Sequence, residues 1–223
     1  MQWTSYLGPL WQGAWVTIEL TILSTILGGI MSFAAGIGKL SPNWFIKGLS
    51  VTYIEIFRGT SLLVQLFWLY FALPIAGDMI GVNLRLPPVL AGVLALGLNI
   101  GAYGAEVVRG AIQSVPRGQY EAAIALNMSP YRRMRRIILP QAVLMMLPPG
   151  GNLLIELLKG TALVALISVA DLMFNAKQIN GTTFLSVQAF GSALVIYYVM
   201  ARFMLTPAMR WFERHTARRL GMT

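Results

Sequence analysis

The chain has 223 residues, of which 57% are hydrophobic and only 11% charged, with a mean hydropathy of +0.67. Soluble domains carry roughly 25% charged residues, so the composition excludes that class and points to a membrane protein of one domain spanning residues 1–223. The chain has no cysteine and a single histidine, His215, which excludes disulfides, thiolate chemistry and a multi-histidine metal cluster; no cofactor is called for.

A helix needs roughly 20 apolar residues to cross the hydrocarbon core. Five stretches supply them, near 16–37, 51–73, 89–108, 148–170 and 187–205. In the first, Gly28, Ser32 and Gly36 recur at helical spacing as a packing ridge, and Glu19 has no evident partner. No Lys or Arg precedes Lys39, so a basic signal-peptide region is missing and the N-terminus is expected outside the cell. Ser41–Pro42 turns the chain. The second stretch opens with Glu55 and Arg58, whose spacing suits a self-neutralising ion pair.

The third stretch carries Asn99, Tyr103 and Glu106 on one helix face, with Gly97, Gly101 and Ala105 as a second small-residue ridge. Glu106 is placed to pair with Arg109. Two readings of the polar face stay open: a satisfied packing network, or the lining of a transport path.

Residues 119–142, QYEAAIALNMSPYRRMRRIILPQA, form a polar island between apolar runs. The pattern predicts two short helices with a hinge. Asn127 ends the first, because Asn tolerates a left-handed backbone. Ser129 and Pro130 suit the N-cap and first position of the second. There Tyr131, Met134 and Ile138 share one face and Arg132, Arg133 and Arg136 the other, with Leu139–Pro140 as the expected end.

In the fourth stretch, Pro148–Pro149–Gly150–Gly151 is expected to interrupt the helix, and Gly160–Thr161 to break it again. Asn152, Glu156 and Lys159 lie on one face between them. A zwitterion needs one acceptor and one donor of charge, which Glu156 and Lys159 provide; the other reading is that they satisfy only each other. Asp78 and Asp171 fall in outer loops, where a solvated role or contact with a soluble partner is open. Beyond Pro207 the tail is a short basic amphipathic stretch.

With these spans, thirteen of the seventeen Lys and Arg residues fall on the cytoplasmic side, as the positive-inside rule requires of an odd number of spans. The net charge of +9 thus reflects topology and attraction to anionic membrane lipid, and leaves no basic domain for nucleic acid.

Three segments resemble the permease subunits of ATP-binding-cassette (ABC) importers, and together the likeness runs over about 16–209. Glu121, Ala122, Ala123 and Ile138, Leu139, Pro140 match the family's EAA loop, with Asn127 where the family usually has Gly; 111–140 is then the cytoplasmic coupling loop. Residues 55–66, EIFRGTSLLVQL, are similar to a signature of the polar amino-acid branch, with Ser61 replacing Pro and a local bend expected to straighten. Residues 157–171 resemble a third run, with Gly160 and Ala162 in place of Asp and Ser. The resemblance implies a type I importer transmembrane domain in the bacterial inner membrane. It further implies a second permease subunit, two ABC ATPases below and an extracytoplasmic solute-binding protein above. The implied substrates are polar amino acids or related compatible solutes, and 59–74 resembles the ectoine-handling subgroup.

The implied coupling residues are Glu121, Ala122, Ala123, Asn127, Ile138, Leu139 and Pro140. The candidate substrate path comprises Asn99, Tyr103, Glu106, Asn152, Glu156, Lys159 and Thr161. The chain lacks a GxxxxGK[ST] phosphate loop, so ATP hydrolysis belongs to a partner. A standalone secondary transporter of small polar solutes is the alternative. A membrane-embedded enzyme is disfavoured, since no Ser/His arrangement or close aspartate pair is present.

Overall fold

A computed structural model describes residues 6–219, and among these every regular element is helical. Helix α1 (Leu7–Lys39) is followed by α2 (Trp44–Gly59), α3 (Leu62–Phe67) and α4 (Leu73–Met79). Then come α5 (Pro88–Ser114), α6 (Arg117–Ala125), α7 (Pro130–Arg133) and α8 (Leu139–Gly160). The described residues end with α9 (Leu172–Thr183), α10 (Ser186–Val199) and α11 (Thr206–Arg219). Among the described residues, five helical stretches are long and apolar enough to cross a membrane: 7–39, 62–79, 88–114, 130–167 and 186–216.

The bundle is built around α1 and α5, which run parallel in close contact. The two small-residue ridges meet each other. A Cβ on Gly36 would lie 2.7 Å from the Ala105 carbonyl, and one on Gly101 would lie 2.8 Å from Met31 Cβ. At Gly28 an added Cβ would strike Ile100. Side chains cannot fit between backbones this close, so the glycines are the packing surface. Leu20, Leu66, Ala95, Leu96, Leu157 and Val164 fill the space between α1, α3, α5 and the chain after α8. A second core joins α1, α8, α9 and α10 through Leu10, Leu158, Leu172, Ala176 and Ala193. Large apolar side chains such as Trp11, Ile26, Ile30 and Leu194 stay exposed on the outside, as lipid-facing residues do. Glu19 is exposed among those of α1 and forms no ion pair among the described residues.

Among the described residues, three single-turn π segments interrupt the helices, at Trp68–Ala72, Met134–Ile138 and Met200–Leu205. In each, the residue just before a proline bonds back five residues: Leu73 to Trp68, Leu139 to Met134, and Thr206 to Ala201. The prolines that follow are Pro74, Pro140 and Pro207. Each proline lacks an N–H and its ring presses on the carbonyl four residues back; one widened turn relieves the clash without ending the helix.

This corrects two expectations. Leu139–Pro140 does not terminate the second loop helix; the chain runs as one helical rod from Pro130 to Ile167. Pro148–Gly151 does not interrupt it either, since α8 is continuous from Leu139 to Gly160 with both prolines inside. Gly160–Thr161 does not break the helix outright: the chain stays helical and tightens there into a 3₁₀ segment, Thr161–Ile167, which ends on Ser168 at φ +63°.

A further correction concerns the second crossing, expected as one helix near 51–73. It is in two pieces, α2 and then α3 to α4, separated by Thr60 and Ser61 in extended conformation. The bend persists although Ser61 stands where a proline was expected to be needed.

Candidate functional site

The broken second crossing faces the middle of α5. Tyr53 donates to the Leu98 carbonyl at 2.6 Å, so α2 climbs along α5 to that depth. The last turn of a helix leaves carbonyls without helical donors. Here Thr60 Oγ1 donates to Ile56 O, while Gln65 and Asn99 both donate to Phe57 O. The corner thus opens toward α5 and α8, and a cavity of about 460 Å³ lies between them. Its walls include Thr60, Ser61, Asn99, Tyr103, Glu156 and Lys159.

Four of the seven candidate path residues meet in this cavity: Asn99, Tyr103, Glu156 and Lys159. Glu156 and Lys159 are exposed and form no ion pair with each other, so the self-neutralising reading is not the one observed. Glu55 and Arg58 do not pair either. Arg58 instead sits over the Tyr103 ring, 5.4 Å from its centroid, at the cavity's edge. The cavity thus offers a carboxylate, an ammonium and, close by, a guanidinium, none in an ion pair among the described residues.

The other three candidates lie elsewhere. Asn152 is exposed on the same face of α8 but does not line the cavity. Thr161 is fully buried and donates to Leu158 O at 2.7 Å, which makes it part of the helix-to-3₁₀ transition. Glu106 lies further along α5, with Lys39 Nζ at 2.6 Å and Arg109 Nη2 at 2.8 Å. The pairing with Arg109 was expected; the partner from α1 was not. Ion pairs between distant helices leave no mark in local spacing.

Asp171 is fully buried, not solvated in a loop. It caps α9 by accepting from Phe174 N at 2.8 Å, and Tyr197 donates to it at 3.3 Å. Burial pushes its carboxyl up to about 6 against these hydrogen bonds, which lower it. Asp78 is exposed and pairs with Arg85 at 3.3 Å.

The second region of interest is the hinge between α6 and α7. Asn127 adopts φ +53°, the left-handed conformation its residue type suggested. Asn127 N donates to Ile124 O, and Met128 N to Ala123 O, closing the end of α6. Ser129 caps α7 by accepting from Arg132 N, with Pro130 next. Ala123 and Ile138 are both fully buried, and Ile138 sits in a core with Ile112, Ala142 and Met146 that ties the loop to α5 and α8. Glu121, Ala122, Ile124 and Leu126 point outward; Leu126 is 75% exposed. Met134 packs inward with Ile138, while Tyr131 stays exposed and accepts from Arg135.

Sequence reasoning missed Gln65, Thr60 and Ser61. The available signal was a lone Gln in the apolar run LLVQLF, a polar group that must find partners at membrane depth.

Known proteins share this architecture. A family model described as the inner membrane component of binding-protein-dependent transport systems matches residues 7–218. The probable amino-acid ABC transporter permease protein y4tF of Sinorhizobium fredii (strain NBRC 101917 / NGR234) is 57% identical over 219 residues, 95% of this chain and 92% of its own. The glutamine transport system permease protein GlnP of Escherichia coli (strain K12) is 35% identical over 203 residues, 91% of this chain and 90% of its own. A crystal structure of an amino acid ABC transporter with histidines superposes with a TM-score of 0.84 at 36% identity, covering 95% of this chain and 96% of that one. The MetNI methionine ABC transporter in an inward-facing conformation shares the fold, with a TM-score of 0.74 at 20% identity over 97% and 99% of the two chains. By its helical bundle and by these matches over nearly its whole length, the chain belongs to the family of binding-protein-dependent transport system inner membrane components, as a permease subunit of the amino-acid ABC importers.

Proposed function

We propose that this permease passes polar amino acids, or amino-acid-like solutes, through the cavity between the α2–α3 corner, α5 and α8. The observation that carries the reading is the cavity's charge. Glu156 and Lys159 face the same space without an ion pair among the described residues, and a zwitterionic amino acid supplies the two opposite charges that would satisfy them. The relatives named for glutamine transport and for an amino-acid ABC transporter support this substrate class. The ectoine branch is a narrower proposal, resting on the run 59–74.

In this reading the N-terminus lies outside and the C-terminus in the cytoplasm, which puts Lys39, Arg109 and the arginines of 117–136 inside. The chain forms one transmembrane domain. Its hinge at 111–140 is the coupling loop, with Glu121, Ala122, Ala123, Asn127, Ile138, Leu139 and Pro140 as coupling residues. Ala123 and Ile138 anchor it, and Glu121, Ala122, Ile124 and Leu126 offer the exposed surface for an ABC ATPase. A solute-binding protein delivers substrate on the outer side, a second permease completes the path, and ATP-driven closure of the ATPases switches access.

The test is reconstitution with the cognate ATPase and binding protein in liposomes, followed by uptake of radiolabelled L-amino acids and of ectoine. Uptake that requires ATP, and falls in Lys159→Ala and Glu156→Ala while the ATPase stays bound, is expected. Wild-type uptake in both variants would remove the cavity from the path. Uptake driven by an ion gradient without ATP would favour a standalone carrier.

A further inference from the structure

We propose that Gln65 is a positioning residue for transport: with Asn99 it holds the corner between α2 and α3 in the shape that forms one wall of the cavity. The inference rests on the reading of that cavity as the substrate path.

The corner has no proline to fix its backbone. Thr60 and Ser61 take ordinary extended angles, (−122°, 154°) and (−70°, 136°), which any residue adopts and leaves easily. Something else must prevent 54–67 from closing into one regular helix. Gln65 is 92% buried and reaches back across the break. Its Nε2 donates to Phe57 O at 2.9 Å, Thr60 O at 3.2 Å and Thr60 Oγ1 at 2.7 Å. Its Oε1 accepts from Asn99 Nδ2 at 3.0 Å, and Asn99 also donates to Phe57 O at 3.2 Å. Two amides from two elements thus converge on the open end of α2.

Those carbonyls have no helical donor and lie at membrane depth, where an unpaired polar group is costly. Gln65 and Asn99 satisfy them only in the broken geometry. A regular helix through Thr60 would supply its own donors and make the clamp redundant. The clamp therefore selects the broken form. That form turns Thr60, Ser61 and Leu62 onto the cavity and sets Arg58, in the last turn of α2, over Tyr103. Gln65 does not line the cavity, so it acts through the corner and not by touching substrate.

The test uses the complete complex of permease, ATPase and binding protein in liposomes, with the best-transported radiolabelled L-amino acid as probe. Gln65→Met keeps the side chain's length and removes its donor and acceptor. Loss of a buried hydrogen-bonded clamp predicts about a tenfold drop in amino acid moved per ATP hydrolysed. ATPase activity stimulated by the loaded binding protein should stay within about twofold, since the coupling loop is untouched. Asn99 also lines the cavity, so Asn99→Leu should lower transport at least as much, and the double variant should fall no further than Asn99→Leu alone, because Gln65 acts only through the shared corner. A parallel fall of uptake and ATPase activity, or additive losses in the double variant, would reduce Gln65 to a purely structural residue and overturn the proposal. So would unchanged transport in Gln65→Met. If Gln65→Met does not assemble, Gln65→Asn, which keeps the amide but shortens its reach to Phe57 O and Thr60 by one methylene, carries the same test with a smaller expected drop. A wild-type complex that moves no amino acid would instead overturn the reading of the cavity.

Discussion

Lys39, the last residue of α1, and Glu106 of α5 meet at 2.6 Å although 67 residues separate them in the chain. Arg109 holds the other carboxylate oxygen, with its Nε at 2.9 Å. The parallel packing of α1 on α5 creates this triad, and the triad in turn ties the two helices where the glycine ridges end. The side chains of Lys39 and Glu106 are only 22% and 19% exposed. Glu106→Gln leaves two cations facing an uncharged amide and should destabilise the permease by roughly 1–3 kcal/mol, less than a fully buried pair would cost. Thermal unfolding in detergent checks this; an unchanged midpoint would show the triad to be solvated.

The glycine ridges allow a paired comparison. A Cβ at Gly36 would meet the Ala105 carbonyl and Val108 Cβ at 2.7 and 2.8 Å, and a helix backbone cannot move aside cheaply. At Gly29 a Cβ would meet nothing within 4 Å. Gly36→Ala should therefore cost roughly 1–3 kcal/mol by forcing α1 off α5, while Gly29→Ala should be neutral or slightly stabilising. The difference in unfolding midpoint between the two is the measurement, and equal effects would contradict the packing.

Asp171 predicts a pH dependence with a definite sign. Burial raises its carboxyl from 3.8 to about 6, so the folded protein holds this proton to higher pH than the unfolded chain does. The stability it contributes is full below the unfolded value and is lost as pH rises through about 6. The permease should unfold at a lower temperature at pH 7.5 than at pH 5. Asp171→Asn keeps a cap for Phe174 N and should flatten that difference. A wild type equally stable at both pH values would place the Asp171 proton in the ordinary carboxylate range.

Within the hinge, buried and exposed residues should fail differently. Leu126 is 75% exposed and Glu121 also points outward, so Leu126→Asp and Glu121→Lys should leave thermal stability unchanged while the ATPase no longer copurifies and uptake is lost. Ala123 is fully buried, and Ala123→Asp sets a charge where no water reaches it. That variant should be destabilised as well as uncoupled. Retention of the ATPase by Glu121→Lys and Leu126→Asp alike would move the docking surface elsewhere.

Local chemistry was legible in the sequence wherever a residue's own backbone or nearest neighbours decide the outcome. Composition gave five apolar stretches, Asn127 marked the left-handed hinge, Ser129–Pro130 marked a helix start, and two rows of small residues marked a helix contact. Proline was misread in the fourth crossing. Whether Pro140 or Pro148 ends a helix depends on whether the turn can widen and the flanking chain is held by packing, and Ile138 and Ala142 hold it. Only the tertiary structure decided where the second crossing breaks, because Thr60 and Ser61 are kept extended by amides from Gln65 and from Asn99, 34 residues beyond it. It alone also decided that Glu156 and Lys159 share a cavity with Asn99 and Tyr103 while Glu106 is consumed by Lys39 and Arg109. Apolar length, caps and hinges are properties of a few consecutive residues. Which buried polar groups satisfy one another, and which are left facing the path, depends on helices far apart in the chain being brought side by side.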